Sequence, residues 1–553
     1  MSGKEKILYG NIVDVIARRI FPGRVEVRNG RIAAVEEMEG EFGSFILPGF
    51  VDSHIHIEST LMVPQNYARM AVASGVVAAV CDPHEIANVL GTEGIDFMIE
   101  DGRNVRFNFS FAAPSCVPST PFETAGAELG PQEVAQLMGR DEVVALAEMM
   151  NVPGVVFDDP QVAAKLQAAR DAGKPIDGHA PKTSGEMLQK YIGAGISTDH
   201  ECATLEEARV KLALGMKVII REGSAACDFE SLYPLIAEYP GQILFCSDDM
   251  YPDDMESIGY INGMVKRAIA KGMPLWETLE SASVTPVKHY NLKSGLLQKG
   301  DSADFIVVED LKDFRILSTY LQGEEVYSAE AGIAEDKFVS GANSLQIPNK
   351  FNAKEITPDL LQVKWMPEQM KVMVAAEGSL LTGVELVTPK QNEAGNVITD
   401  TQAGIAKIVA YNRYTQSTPQ VAYIKGFGQL GGALASTIAH DSHNIIAVGS
   451  NDADLAAAIN CLISEKGGIA VSSGEKMEIL PLPVAGLMTT LQPQEVARRH
   501  KTLKQLASQI GCPFKAPFMT LAFMALPVIP DLKLTDKGLF DGVTFNFTSL
   551  WAD

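Results

Sequence analysis

The chain has 553 residues, 46% hydrophobic and 21% charged, with a net charge of −23. That length predicts several domains, and the acidity argues against partners that need a basic surface, such as nucleic acid or an anionic membrane. No run of about 18 apolar residues occurs, so no transmembrane helix is expected, and MSGKEKILYG holds no apolar stretch long enough for a signal peptide. The seven cysteines (81, 116, 202, 227, 246, 461 and 512) are odd in number, spread out and without a CxxC pair. That usage fits reduced thiols in a cytoplasm. Cys81, Cys202 and Cys246 are read as small core hydrophobes beside strands.

In chain order, residues 1–48 alternate like strands around Asn29-Gly30, a hairpin signal. FILPGFVDSHIHIEST follows, and period-two alternation puts His54 and His56 on one side of an extended strand. VVAAVCDPHE (76–85) ends in Asp82, with His84 and Glu85 just beyond. VRFNFSFAAPSC (105–116) runs into a Pro-Ser turn at Ser115, and VVALAEMMN (143–151) ends near Glu148. KPIDGHAP (174–181) ends at His179 and GISTDHEC (195–202) at His200. MKVIIREGS (216–224) ends in Arg221, Glu222 and Ser224, and QILFCSDDMYP (242–252) in Asp248 and Asp249. Helix-like stretches lie between, such as 160–173 and 204–215, each closed by Gly.

Strands alternating with helices over about 200–250 residues predict an α/β fold, a (β/α)8 TIM-type barrel over 49–286 with its site at the C-terminal strand ends. The strand-like style returns at 294–328. Residues 1–48 and 287–345 are therefore expected to form one composite β-rich domain, since neither piece would bury a core alone. A connector is expected over roughly 330–355, then a C-terminal α/β domain over 350–553 with strand GIAKIVAYN (404–412) and helix NDADLAAAINCLISEKGG (451–468).

His54, His56, Glu148, His179, His200 and Asp248 make six nitrogen and oxygen ligands, more than one tetrahedral zinc needs. Two divalent ions use them naturally: His54, His56 and Asp248 on one, His179 and His200 on the other, Glu148 bridging. The set suits Zn, Fe(II) or Mn. Asp248 is the first candidate to shuttle protons. Asp82 is the second, against a turn role before Pro83. Glu85 is read as orienting substrate or capping a helix, and His84 as acting indirectly rather than as a seventh ligand. Arg221 and Glu222 are read as paired with each other, with substrate contact as the alternative, and Ser224 and Ser115 as pocket wall. His440, Asp441 and His443 are read as a polar turn before strand IIAVG, with a lid over the barrel mouth, or a loop from a neighbouring subunit, as the alternative.

These motifs resemble the amidohydrolase superfamily, and LPGFVDSHIHIEST, CDPHEIANV, AEMMNVPGV, DGHAP, TDHE, IREGS and CSDD are similar to bacterial adenine deaminases. The similarity continues through AHDSHNIIAVG (439–449), LPLPVAGLM (480–488) and FMALPVIPDLKLTDKGLFD (523–541). The resemblance implies hydrolysis of adenine to hypoxanthine and ammonia at a two-metal centre, often iron or manganese, with Glu148 where many relatives carry a carboxylated lysine. A free purine base is the expected partner and a homodimer the expected assembly. One departure concerns the segment after the last Asp pair, where the family often has a basic residue and then Gly-His. Here stand Met250, and Tyr260 after Gly259. The alternatives are a deaminase of an N6-substituted adenine and a cyclic amidase; the latter predicts a lysine in the fourth strand, and none lies between Asp141 and Asn151.

Overall fold

The computed structural model describes residues 5–341 and 345–552; 342–344, inside the expected connector, lie outside the described residues. Five parallel strands pair in order: Phe50–Ile55, Val76–Cys81, Asn108–Ala113, Val143–Met149 and Ile176–Gly178. Three more follow: Thr198–Asp199, Lys217–Arg221 and Ile243–Cys246. Single bridges join the two sheets, Ile176 to Ile196 on one side and Ile55 to Asp248 on the other. The strands thus curl into a TIM-like barrel. They read as unbroken apolar runs because helices cover the outer face and side chains fill the inside; Val76–Cys81 is buried at every position.

The helices begin and end for local reasons. Pro160–Asp171 starts at Asp159, whose carboxylate accepts from the N–H groups of Gln161 and Val162, and Pro160 needs no N–H partner in the first turn. Leu205–Ala213 starts at Thr204, whose hydroxyl oxygen accepts from Glu207 N–H. Gly173 and Gly215 follow these helices with φ of 65° and 92°, the left-handed conformation that glycine adopts cheaply.

One eight-stranded sheet takes strands from both flanks of the barrel: Phe45–Pro48 lies between Phe305–Val308 and Glu5–Asp14. Asn29 and Gly30 have φ of 53° and 76° and link paired Arg28 and Arg31 in a two-residue hairpin. A second eight-stranded sheet lies C-terminal, with Ala406–Tyr411, Ile445–Gly449 and Ala433–Ser436 near its centre and helix Asp452–Glu465 packed beside them. This C-terminal part rests on the loops at the barrel's C-terminal end. Thr489 N–H donates to Leu61 O (2.9 Å), and Thr124 N–H donates to Asp536 Oδ1 (2.9 Å). Among the described residues no helix is long and apolar enough to cross a membrane.

Candidate metal centre

The six expected ligands converge. His54 Nε2 lies 3.2 Å from His56 Nε2, and Asp248 Oδ1 lies 3.4 Å from the first and 3.1 Å from the second. Glu148 faces two ways: Oε1 is 3.4 Å from His56 Nε2, while Oε2 is 2.6 Å from His179 Nδ1 and 3.2 Å from His200 Nε2. The rings of His54 and His200 stack with centroids 4.3 Å apart. All but His179 are almost fully buried.

These spacings fit metal coordination. Metal–nitrogen and metal–oxygen bonds of about 2.1 Å put neighbouring ligands about 3.0–3.4 Å apart in octahedral or tetrahedral arrangements. The His54–His56–Asp248 edges fall at 3.2, 3.4 and 3.1 Å. Two imidazole nitrogens face each other there, an arrangement natural for shared coordination. Burial alone would raise both carboxyls. His179 and His200 outweigh it at Glu148, and His54, His56 and Arg221 at Asp248, so both stay well below the carboxylate range.

The supports come from the strands themselves. Asp248 N–H donates to His54 O (3.0 Å), so closing the barrel registers the two residues on each other. Asp52, one turn of the pleat below, accepts from Ser247 Oγ (2.6 Å) and Tyr260. Tyr191 OH donates to Met149 O (2.6 Å) and accepts from His179 N–H (3.0 Å), tying the Glu148 strand to the His179 turn. Beside His200, Asp199 pairs with buried Lys211 at 2.9 Å, and Lys211 also donates to Ala180 O (2.7 Å).

Other expected residues land differently. Asp82 Oδ1 accepts from His84 N–H (3.1 Å), the turn role, while Oδ2 faces His84 Nδ1 at 3.1 Å. Asp82 nevertheless clusters with His54, His56 and Glu148, their ligand atoms within 4.8 Å of one another. His84 lines the cavity, its Nδ1 3.5 Å from Glu148 Oε1. Arg221 and Glu222 do not pair: neighbours on a strand point to opposite faces. Arg221 instead binds Glu201, Asp228 Oδ2 (3.0 Å) and Asp248 Oδ2 (2.9 Å), while Glu222 binds Arg267. Ser224 is not pocket wall; its hydroxyl bonds Asp254 Oδ2 (2.6 Å), and Gly223, Ala225 and Ala226 line the cavity there. Ser115 likewise donates to the Glu148 carbonyl. Met250 and Tyr260 are buried and neither lines the cavity, so the departures at these positions do not touch the pocket.

Residues 440–442 form the expected turn before strand Ile445–Gly449, and the segment also reaches the barrel mouth, as the alternative reading had it. His440 Nδ1 lies 2.7 Å from Glu85 Oε1, and His443 Nε2 bonds Glu85 Oε2. Glu85 therefore does not cap its helix; it anchors the C-terminal part to the barrel mouth. Burial opposes its charge, but His440, His443 and His84 hold it well below the carboxylate range. The linear pattern around His440 carries no sign of a partner more than 350 positions away. Glu201 was also missed: it lies 3.5 Å from His200 Nε2 and pairs with Arg221. Its only sequence signal was adjacency to His200.

The converging residues and the C-terminal segments above them line a cleft of ≈ 670 Å³, within the usual range for a small-molecule site. Its floor carries His56, Glu148, His179, His200 and Asp248, and its roof is apolar: Leu380, Leu381, Met519, Phe523, Leu526 and Ile529. Buried Lys533 ties two roof segments by donating to Leu380 O and Phe523 O, both at 2.9 Å. Burial pushes its amine down to about 7.

Barrel, strand-end ligands and covered cavity together define a hydrolase of the amidohydrolase type, and the Amidohydrolase family profile matches residues 45–326. The Adenine deaminase C-terminal domain profile matches 379–546. Adenine deaminase of Methanosarcina mazei is 50% identical, over 98% of this chain and 99% of that one. Those of Parabacteroides distasonis (46%, all of both chains) and Borreliella burgdorferi (42%, 97% and 98%) are similar along the same length. The chain belongs to the adenine deaminase family.

Proposed function

We propose that this protein hydrolyses adenine to hypoxanthine and ammonia, in the cytoplasm and as a homodimer, with divalent metal held at the barrel mouth. The observation that carries the reading is the convergence of His54, His56 and Asp248 at coordination spacing beneath an apolar roof. Two ions are proposed, His54, His56 and Asp248 holding one and His179 and His200 the other, with each oxygen of Glu148 facing one group. Mn and Fe(II) are the proposed metals, with Zn able to fit the same donors. We assign 49–286 to the barrel, 1–48 with 287–345 to the flanking β-rich unit, and 350–553 to the C-terminal unit that supplies the roof.

Ions bound there supply a nucleophile by lowering the pKa of a water molecule. The chain's own residues do the rest. Asp248 Oδ1 faces the histidines while Oδ2 is fixed by Arg221, so Asp248 is placed to take the water's proton and pass it to the departing amine. Asp82 is the second proton carrier, with His84, whose ring it faces and which reaches the cavity, beside it. The apolar roof covers the ring faces and excludes competing water.

Charge favours a free base over a nucleotide. Apart from histidine, Lys182 and Arg221 are the cationic side chains lining the cavity, and Arg221 is committed to three carboxylates. Phosphate sites recruit uncommitted arginine, lysine or helix N-termini. Adenine, adenosine, AMP and N6-methyladenine should be compared by ammonia release. Adenine should have the highest kcat/KM; a higher value for adenosine or AMP overturns the reading, and a higher value for N6-methyladenine moves the assignment to N6-substituted bases.

A further inference from the structure

Three residues lining this cavity carry a buried polar atom with no partner: His200 Nδ1, His440 Nε2 and Asp441 Oδ2, and only the last two lie outside the proposed ligand set. His440 and Asp441 are 2% and 3% exposed, so their atoms are shielded from bulk water, and a buried polar atom left unpaired is destabilising. Such atoms in a ligand cavity mark where a ligand completes the bonding. Neither is free to turn away. His440 Nδ1 is taken by Glu85 Oε1 at 2.7 Å, and its ring stacks on Phe523 with centroids 4.4 Å apart. Asp441 Oδ1 sits 3.9 Å from the same Nδ1, leaving Oδ2 as the unsatisfied oxygen.

Position relative to the metal ligands decides what they meet. Asp441 clusters with His84 and Glu85, their ligand atoms within 4.8 Å of one another, and His84 is in turn 3.5 Å from Glu148. The orphan pair thus stands one imidazole away from the ligands, on the lid side. A purine whose C6 faces the metal ligands turns its opposite edge outward. That edge presents N3, an acceptor, beside N9–H, a donor. N7 lies on the C6 side and cannot serve.

We propose that His440 and Asp441 form the subsite for the N3/N9 edge of the purine, with Asp441 Oδ2 accepting from N9–H and His440 Nε2–H donating to N3. The inference rests on the adenine reading and deepens it. It makes selectivity for the free base a property of the C-terminal part. A substituent on N9 removes the proton that Asp441 requires and leaves a buried carboxylate oxygen unpaired, the asymmetry that lets a polar site reject an analogue lacking one hydrogen. With Glu85 holding its Nδ1, His440 is raised to about 9 by that carboxylate despite burial, which keeps a proton on Nε2 at neutral pH.

The test is a cycle of variant against ligand, read by kcat/KM and by calorimetric binding of the product. Wild type and Asp441→Asn are each measured with adenine and 9-methyladenine, and with hypoxanthine and 9-methylhypoxanthine. Wild type should favour each unmethylated ligand by at least about 10–100-fold, the worth of one hydrogen bond to a charged group. Asp441→Asn should lose about that factor on the unmethylated ligands, change little on the methylated ones, and keep its metal content. Equal discrimination in both proteins overturns the proposal. If Asp441→Asn does not fold, His440→Asn, which keeps a donor near the Nδ1 position for Glu85, is tested with adenine and 3-deazaadenine. Wild type should prefer adenine and the variant should not; an unchanged preference overturns it. If wild type releases no ammonia from adenine, the adenine reading itself is wrong, an outcome separate from either cycle.

Discussion

Glu148 is the residue on which the centre turns, because its two oxygens face different histidine groups. Replacing it by Gln keeps the shape and removes the charge, and a neutral amide bridges cations poorly. Glu148→Gln should lower metal occupancy by elemental analysis and activity together, with the fold retained. Full occupancy at two ions with activity lost would instead assign Glu148 a chemical rather than a bridging role. Single residues were also where sequence reading was strongest and weakest. That His54, His56, His179, His200, Glu148 and Asp248 converge was legible because each lies at the end of a buried apolar run, and a barrel gathers such ends at one mouth. Arg221 was legible as a charge and misread as a pair, because its partners sit on two other segments, at Glu201 and Asp248, and at Asp228 past the next turn. Ser224 was misread because a hydroxyl near a strand end gives no sign of which way it turns.

At the scale of elements, the short strands matter most. Thr198–Asp199 is only two residues long, and its neighbour Ile176–Gly178 only three. Gly178 allows them to approach: a Cβ there would meet Thr198 O at 2.4 Å and the Ile196 side chain at 2.7 Å. Gly178→Ala must part the two strands, and His179 and His200 ride directly after them. We expect this variant to lose metal from the His179–His200 side and most of its activity, while far-ultraviolet circular dichroism stays near wild type. Retained metal with normal activity would show that the strands accommodate the methyl without moving their ends. Sequence pattern located both strands but overran them, since period-two alternation does not mark where a barrel ladder stops. The hairpin at Asn29-Gly30 was fully legible because its turn chemistry is local.

On the scale of the whole molecule, the roof is coupled to stability through Lys533. An unfolded lysine keeps its proton up to about 10.5, whereas here burial lets it go at about 7. Between those values the unfolded chain binds more protons, so this residue's contribution makes stability rise with pH from about 7 to about 10.5. The contribution is fully present above the unfolded value and lost as pH falls through the folded one. Lys533→Met should flatten that part of the profile, so the stability difference between wild type and variant should grow toward alkaline pH in denaturant titrations. A difference independent of pH from 7 to 10 would mean that Lys533 keeps its charge when buried. The layered order of the molecule was legible from its alternating patterns, but the roof was not, because contacts such as Glu85 with His443 join segments that share no periodicity.

The barrel's closure by Ile55 against Asp248 has a consequence for how the protein is made. A nascent chain offers its first two histidines long before their carboxylate partner exists. At ribosomal speeds of about 5–20 residues per second, roughly 10–40 s separate their emergence from that of residue 248. During that interval an ion would meet His54 and His56 without the Asp248 carboxylate. The six proposed ligands come together when the eighth strand docks, and the cavity is complete only after the roof segments beyond residue 519 have been translated. On the proposed ligand set, discrimination between metals would fall to the closed barrel.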